Sequence, residues 1–135
     1  MPADLSDRDY QALARFRHAL RVFLRFSEHA ARSAGVTPSQ HQLLLAIRGW
    51  PGTEAPTIRD LAEQLQLVHH SVVELVDRAE AAELVERRTD PHDRRRQRLA
   101  LTPHGAETLA SLTATHRAEL RRFRDELADV LHTLD

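Results

Sequence analysis

Two short apolar stripes, separated by a break in phase, constrain this chain more than any other feature. Ile58, Leu61, Ala62 and Leu65 fall at i, i+3, i+4 and i+7, the spacing of one face of an α-helix. Gln66-Leu67-Val68 interrupts that phase, and Val72, Leu75, Val76 and Ala79 resume the spacing on a second segment. Two amphipathic helices this short, joined by about three residues, bury their apolar faces by turning against each other, which is the helix-turn-helix arrangement. Thr57-Ile58-Arg59-Asp60 supplies the start of the first helix. Its threonine caps orphan amides and its aspartate reaches back to the cap.

The flanking sequence adds helices on both sides and one β-hairpin. Leu13, Phe16, Leu20 and Phe23/Leu24 step by three and four, marking a long first helix over about residues 5 to 33, with Gly35 as its stop. Thr37-Pro38-Ser39-Gln40 reads as a second capping box, and the helix QHQLLLAIRGW follows it, ending at the turn Pro51-Gly52. LVERRT and RLALT, around the polar tip DPHDRRRQ, read as two strands joined by a long charged loop. Thr102-Pro103 then opens helical sequence that carries Leu109 and Leu112 and continues to the end, where Leu120, Phe123, Leu127, Val130/Leu131 and Leu134 form a last stripe. The expected fold class is mainly α with a small β-hairpin: a winged helix-turn-helix flanked by N- and C-terminal dimerisation helices. This places a dimerisation helix in residues 1–36 and a DNA-binding lobe in 37–102, with the recognition helix about 69–82 and the wing about 84–102. Residues 103–135 complete the dimerisation region. Long helices outside a compact three-helix unit leave apolar faces without local cover, and a two-fold helical interface covers them. Leu13, Phe16, Leu20, Leu120, Phe123, Leu127, Val130 and Leu131 are the expected contacts.

Composition excludes several classes. At 135 residues the chain suits one domain, with little room for a second, catalytic one. It has no cysteine, hence no disulfide and no thiolate chemistry. No apolar run approaches the ~20 residues of a membrane span, and MPADLSDRDYQ is no secretory signal, so a cytoplasmic protein without membrane contact is expected. The formal net charge of -1 hides an uneven distribution. Between residues 53 and 86 two arginines stand against eight carboxylates, whereas between 87 and 98 six arginines stand against two. All 19 cationic side chains are arginine, which favours planar, bidentate contacts to carboxylate or phosphate.

LVDR at 75–78, LVERR at 84–88, DPHDRR at 90–95 and LTPHG at 101–105, preceded by LAEQL, closely resemble the MarR (multiple antibiotic resistance regulator) family of bacterial transcription factors in order and spacing. The resemblance implies a homodimer with interwoven terminal helices, a recognition helix in the major groove and a wing in the adjacent minor groove. It also implies a repressor of its own or a neighbouring gene, bound to double-stranded DNA at a pseudo-palindromic operator and released by a small aromatic or anionic ligand. The family's Asp-x-Arg wing element maps onto Asp93 and Arg95, the aspartate orienting the guanidinium that enters the groove. Arg94, Arg96 and Arg98 would then contact phosphate, which fixes register without specifying sequence.

On the second helix of the motif the core positions leave His69, His70, Val73, Glu74 and Asp77 on or near the exposed face. His69, His70 and Ser71 can donate to guanine or phosphate, and Val73 can contact a thymine methyl. Glu74 repels phosphate unless it accepts a hydrogen bond from a cytosine amino group. Gln66 and Glu83 stand where the family often has glycine, and Val68 where it often has a Ser/Thr cap. His29, His41 and Trp50 are the candidate ligand contacts. The nine histidines include no His-x-x-x-His or Glu-x-x-His pair, and without cysteine they offer no conventional metal site, so no cofactor or metal is expected. No phosphate-binding glycine loop or nucleophile–base pair suggests an enzyme. A metal-responsive regulator of the same fold, and a protein-binding adaptor with weak DNA affinity, stand as alternatives.

Overall fold

Four helices of this chain start with the same chemistry, and their starts set the architecture. The computed structural model describes residues 4–134. In order, these form α1 (Asp7–Ser33), α2 (Pro38–Arg48), α3 (Ile58–Leu65), α4 (His69–Ala81), β1 (Val85–Thr89), β2 (Gln97–Leu101) and α5 (Pro103–Thr133). Ser6 and Asp9 cap each other at α1, Thr37 and Gln40 at α2, and Thr57 and Asp60 at α3, each pair satisfying two otherwise orphaned amides. The backbone and hydroxyl hydrogen bonds from Ser6 hold the Asp9 carboxyl below its ordinary value. Thr102 starts α5: its hydroxyl accepts from the Gly105 N–H at 3.0 Å and donates to the Glu83 carbonyl.

Three helix ends share a motif as well. At Gly35, Gln66 and Glu83 the backbone turns left-handed, with φ of 84°, 56° and 60°. In each case the next residue, Val36, Leu67 or Leu84, donates its N–H five residues back, to Ala31, Ala62 or Ala79. This is the Schellman ending, which satisfies the last carbonyls of a helix. Only the first uses glycine. The turn between α3 and α4 therefore forms with Gln66 in the left-handed position, helped by its side-chain amide, which donates to the Glu63 carbonyl at 2.7 Å.

The chain forms two compact units, Ala31–Leu112 and the combination of Met1–Ala30 with Thr113–Asp135. Within the first, α2, α3, α4 and the two-stranded antiparallel sheet pack around Leu43, Leu44, Leu61, Val72, Val76, Leu84, Val85 and Leu99, all essentially buried. Each such side chain contributes roughly 1.5–3 kcal/mol by leaving water. Val85 pairs with Leu101, Arg87 with Leu99 and Thr89 with Gln97. A third short segment lies against β2, where Thr57 bridges to Arg98 and the Leu99 N–H donates to the Pro56 carbonyl at 2.9 Å. Gly105 lies so close to the Leu84 carbonyl that a Cβ there would collide with it, so the first turn of α5 docks where only glycine fits.

In the second unit the sequence's dimerisation stripes divide. Phe23 and Phe123 face each other with ring centroids 5.2 Å apart, and His116 packs edge-on against Phe23 and Phe26 while hydrogen bonding Ser27 at 2.9 Å. Val130 is buried inside this unit, and Phe16, Leu20 and Leu127 are half-buried. Leu13, Leu120 and Leu131 stay exposed, with Leu5, Tyr10, Val22 and Leu24. The C-terminal segment is a single helix of 31 residues. No helix of the described residues is long and apolar enough to cross a membrane.

Glu83 carries a Cβ in a conformation that glycine adopts freely. Glu83→Gly is expected to stabilise the chain by about 0.5–1 kcal/mol, after allowing for the greater freedom glycine gives the unfolded state. Gln66→Gly should gain less, because it removes the hydrogen bond to Glu63. Urea unfolding of the two variants checks both the sign and the order.

Candidate nucleic-acid interface

The hairpin is held at the loop end of its strands by an ion-pair cluster. Arg98, on β2, turns its guanidinium inward: it contacts the Asp90 carboxylate at 2.9–3.0 Å and Glu54 at 2.8 Å, and it donates to the Ala55 carbonyl. Its side chain is only 15% exposed and that of Asp90 3%. The Asp90 carboxylate also accepts from the His92 N–H at 2.7 Å. That hydrogen bond, with smaller help from Arg98, holds the carboxyl below its ordinary value despite burial. The sequence places Arg98 among the phosphate contacts, but the structure commits it to Asp90, Glu54 and the Ala55 carbonyl. The alternation of β2 places it on the face that meets residues 54–57, a neighbour that no local pattern reveals.

The tip of the hairpin has the opposite character. Asp93 accepts from the Arg95 N–H at 3.0 Å and from its Nε at 3.3 Å, and Arg96 Nε lies 4.0 Å from the same carboxylate. The Arg95 side chain is nonetheless 92% exposed. One carboxylate thus sets the direction of a guanidinium without covering it. Arg94 and Arg96 are exposed beside it.

Between the hairpin and α4 runs an open groove of about 660 Å³. Arg94, Arg95 and Arg96 line one wall, His69 and Val73 the other, and Arg59 of α3 adds a further cation. Of the recognition-helix candidates, His69, His70 and Glu74 are exposed, and Ser71 and Val73 are half-buried. Val68 caps α4 without a side-chain hydrogen bond, so no side chain of its own occupies the first-turn amides. The sequence reasoning misses Arg59; its position two residues after the Thr57 cap, on the exposed face of α3, is the available signal. Arg87 is missed too. From β1 it binds Asp77, approaches Glu80 at 3.8 Å and donates to Gln97 at 3.5 Å, tying α4 to both strands and neutralising two of its acids.

The ligand candidates fall in different places. His29 is exposed on α1. His41 is buried in α2. Trp50 is half-buried and lines a shallow recess of about 370 Å³ with Ile47, Pro56, Leu99 and Leu101. Among the described residues no group of three His, Asp or Glu side chains converges as a metal site would require.

A hairpin packed beside the second helix of a helix-turn-helix defines a winged helix-turn-helix unit. The model of the MarR family matches residues 34–96. The crystal structure of the MarR family transcription regulator SP03579 is 30% identical, superposes with a TM-score of 0.74, and the match covers 92% of this chain and 80% of that one. The chain therefore belongs to the MarR family. A putative transcriptional regulatory protein for the hcr operon of Thauera aromatica is 30% identical over 84% of the chain. The S. aureus MepR–DNA complex, at 21% identity and TM-score 0.71, matches over 83% of this chain and 81% of its own and shows the shared fold. The chain spans 66% and 50% of the lengths of the curated relatives it matches. The family and these relatives are transcriptional regulators, not enzymes.

Because the Asp90 carboxyl is held low, its ionised form stabilises the fold above the ordinary aspartate range, and that contribution disappears as pH falls through the lowered value. Asp90→Asn is expected to be less stable than the natural chain near neutral pH, with the difference shrinking as pH falls below the ordinary aspartate range. Urea unfolding across that range measures it, and a constant difference would contradict the assignment.

Proposed function

We propose that two copies of this chain bind a pseudo-palindromic DNA operator as a repressor, and that a small aromatic or anionic ligand releases them. The observation that carries this reading is the groove between hairpin and α4, walled by arginines on one side and by the exposed face of α4 on the other. A DNA backbone seated there would meet Arg94, Arg96 and Arg59 as phosphate contacts and the open first turn of α4 as a source of amide donors. Arg95, directed by Asp93, would enter the adjacent minor groove, where narrowing concentrates negative potential. His69, His70, Ser71, Val73 and Glu74 would face base edges in the major groove. Arg98 serves this interface indirectly, by fixing the hairpin that carries the others. MepR was crystallised as a DNA complex, which agrees with this use of the fold.

Dimerisation is supported by the unit built from the ends of α1 and α5. It leaves Leu13, Val22, Leu24, Leu120 and Leu131 exposed, more apolar surface than a solitary two-helix unit keeps in water. Two copies related by a two-fold axis would cover it and present two reading heads about one DNA turn apart. A ligand acts on such a dimer only through different affinities for its DNA-competent and DNA-incompetent arrangements. Trp50, which lines the recess beside Ile47 and Leu99, and His29 and His41 are separate candidates for ligand contact.

The test is titration of labelled duplex from upstream of the chain's own gene, beside a scrambled duplex, at two salt concentrations. Preferential binding that weakens steeply with salt is expected. Arg95→Ala should lower specific affinity by about tenfold and leave the sedimentation of the dimer unchanged. Unchanged affinity at matched salt would remove Arg95 from the interface, and equal, feeble binding to both duplexes would overturn the operator reading.

A further inference from the structure

The three carboxylates of α4 are not equivalent. Asp77 and Glu80 are both engaged by Arg87 from the neighbouring strand, which neutralises them and holds them back against the hairpin. Glu74 lies nearer the N-terminal end, where a helix lying in the major groove reaches base edges. Its partner is a histidine on its own helix: His70 Nε2 lies 3.1 Å from a Glu74 oxygen, one turn away, with both side chains well exposed at 83% and 56%. These two kinds of partner have different consequences. A guanidinium offsets a carboxylate's charge, as Arg87 does for Asp77 by direct contact and for Glu80 from 3.8 Å. An imidazole at this distance can donate at most one hydrogen bond through Nε2, which leaves the carboxylate's other oxygen able to accept.

We propose that Glu74, oriented by His70, is a specificity-determining residue of this chain and reads a cytosine in each half-site. An ionised carboxylate can only accept hydrogen bonds. The major-groove edge of guanine offers two acceptors and that of thymine an acceptor and a methyl, so both are rejected. Cytosine offers its N4 amino group with no acceptor on the same base edge, whereas adenine sets its own N7 acceptor beside the amino group. His70 acts as a positioning residue. It limits the rotamers of an exposed, flexible side chain, so that one glutamate oxygen stays on the imidazole and the other faces the groove. The net effect on affinity differs from that on discrimination: the charge weakens binding to all DNA, and the cytosine contact restores it only at matching sites.

This inference rests on the operator-binding reading above, and its test separates the two. The full-length chain is used to select bound sequences from a pool of random duplexes, and the same selection is run with Glu74→Gln, His70→Ala and His70→Gln. The natural chain is expected to enrich a two-fold symmetric site in which one position per half prefers cytosine by roughly tenfold. Glu74→Gln should move that position toward adenine, which a glutamine amide matches through N6 and N7, while raising affinity for scrambled duplex. His70→Ala should reduce the cytosine preference severalfold, and His70→Gln, which keeps a side-chain N–H donor, should restore most of it. In Glu74→Gln the preferences elsewhere in the site stay as they were, a pattern that loss of folding would not produce. An enriched site whose base preferences are unchanged by Glu74→Gln overturns the role of Glu74. Full cytosine preference in His70→Ala overturns the role of His70. Failure to enrich any sequence overturns operator binding itself, and this inference with it.

Discussion

The contact between Arg98 and Asp90 is the constraint on which the interface depends. A carboxylate this deeply buried is tolerated only when it is paired and its remaining lone pairs are filled. Asp90 meets both conditions, with Arg98 on one oxygen and the His92 amide on the other. The same guanidinium reaches Glu54 and the Ala55 carbonyl in the segment between α2 and α3. It therefore joins the loop end of the hairpin strands to the residues that lead directly into the Thr57 cap and α3. It adds to the buried Val85 and Leu99 and to the Leu99–Pro56 hydrogen bond in fixing the strands, because a two-stranded ribbon is marginal by itself. The exposed arginines at the tip owe their placement to one that is hidden.

Charge is partitioned in a similar way along α4. The helix-turn-helix region carries an acidic excess, which on its own argues against a polyanionic partner. Arg87 removes much of that objection by binding Asp77 and approaching Glu80 from the hairpin side. What remains exposed to the groove is mostly cationic: Arg59, Arg94, Arg95 and Arg96 beside His69, with Asp60 drawn back into the capping box of Thr57. The local field across the groove thus differs in sign from the local composition of the sequence. Glu74 is the exception, and its exposure beside a histidine rather than an arginine is what makes it informative.

The architecture was legible because its signals are local. Capping boxes at Thr37 and Thr57 start helices where their sequences indicate, and the phase break at Gln66-Leu67-Val68 is the turn between α3 and α4. Val72, Val76 and Ala79 are buried as their spacing requires. The hairpin followed from the change of pattern after Leu84. What the sequence could not supply was direction at charged positions. Arg94, Arg95, Arg96 and Arg98 look alike in one dimension, yet one faces inward, because the carboxylates that receive it come from residues 54 and 90. Arg87 was invisible for the same reason: its importance comes from neighbours contributed by other elements. Val130 sits in a regular apolar stripe, and only packing distinguishes its buried place from the exposed Leu131 beside it.

The three left-handed helix ends show how tightly this lobe is specified by packing rather than by backbone preference. Glycine at Gly35 costs no steric strain, but Gln66 and Glu83 hold the same geometry against a penalty of about 1 kcal/mol each. They hold it because the residues that follow are committed. Leu84 is buried in the core, and its carbonyl lies against Gly105 and accepts from the Thr102 N–H. The ending at Glu83 thus fixes where β1 begins, and Thr102, whose hydroxyl bonds the Glu83 carbonyl, fixes where α5 begins after β2 returns. Both ends of the hairpin are pinned within a few residues of one strained position. A hairpin anchored there and at Arg98 has little freedom to slide, so arginines at its tip can be aimed by a single aspartate. Precision at an exposed tip therefore originates in contacts that never touch the groove.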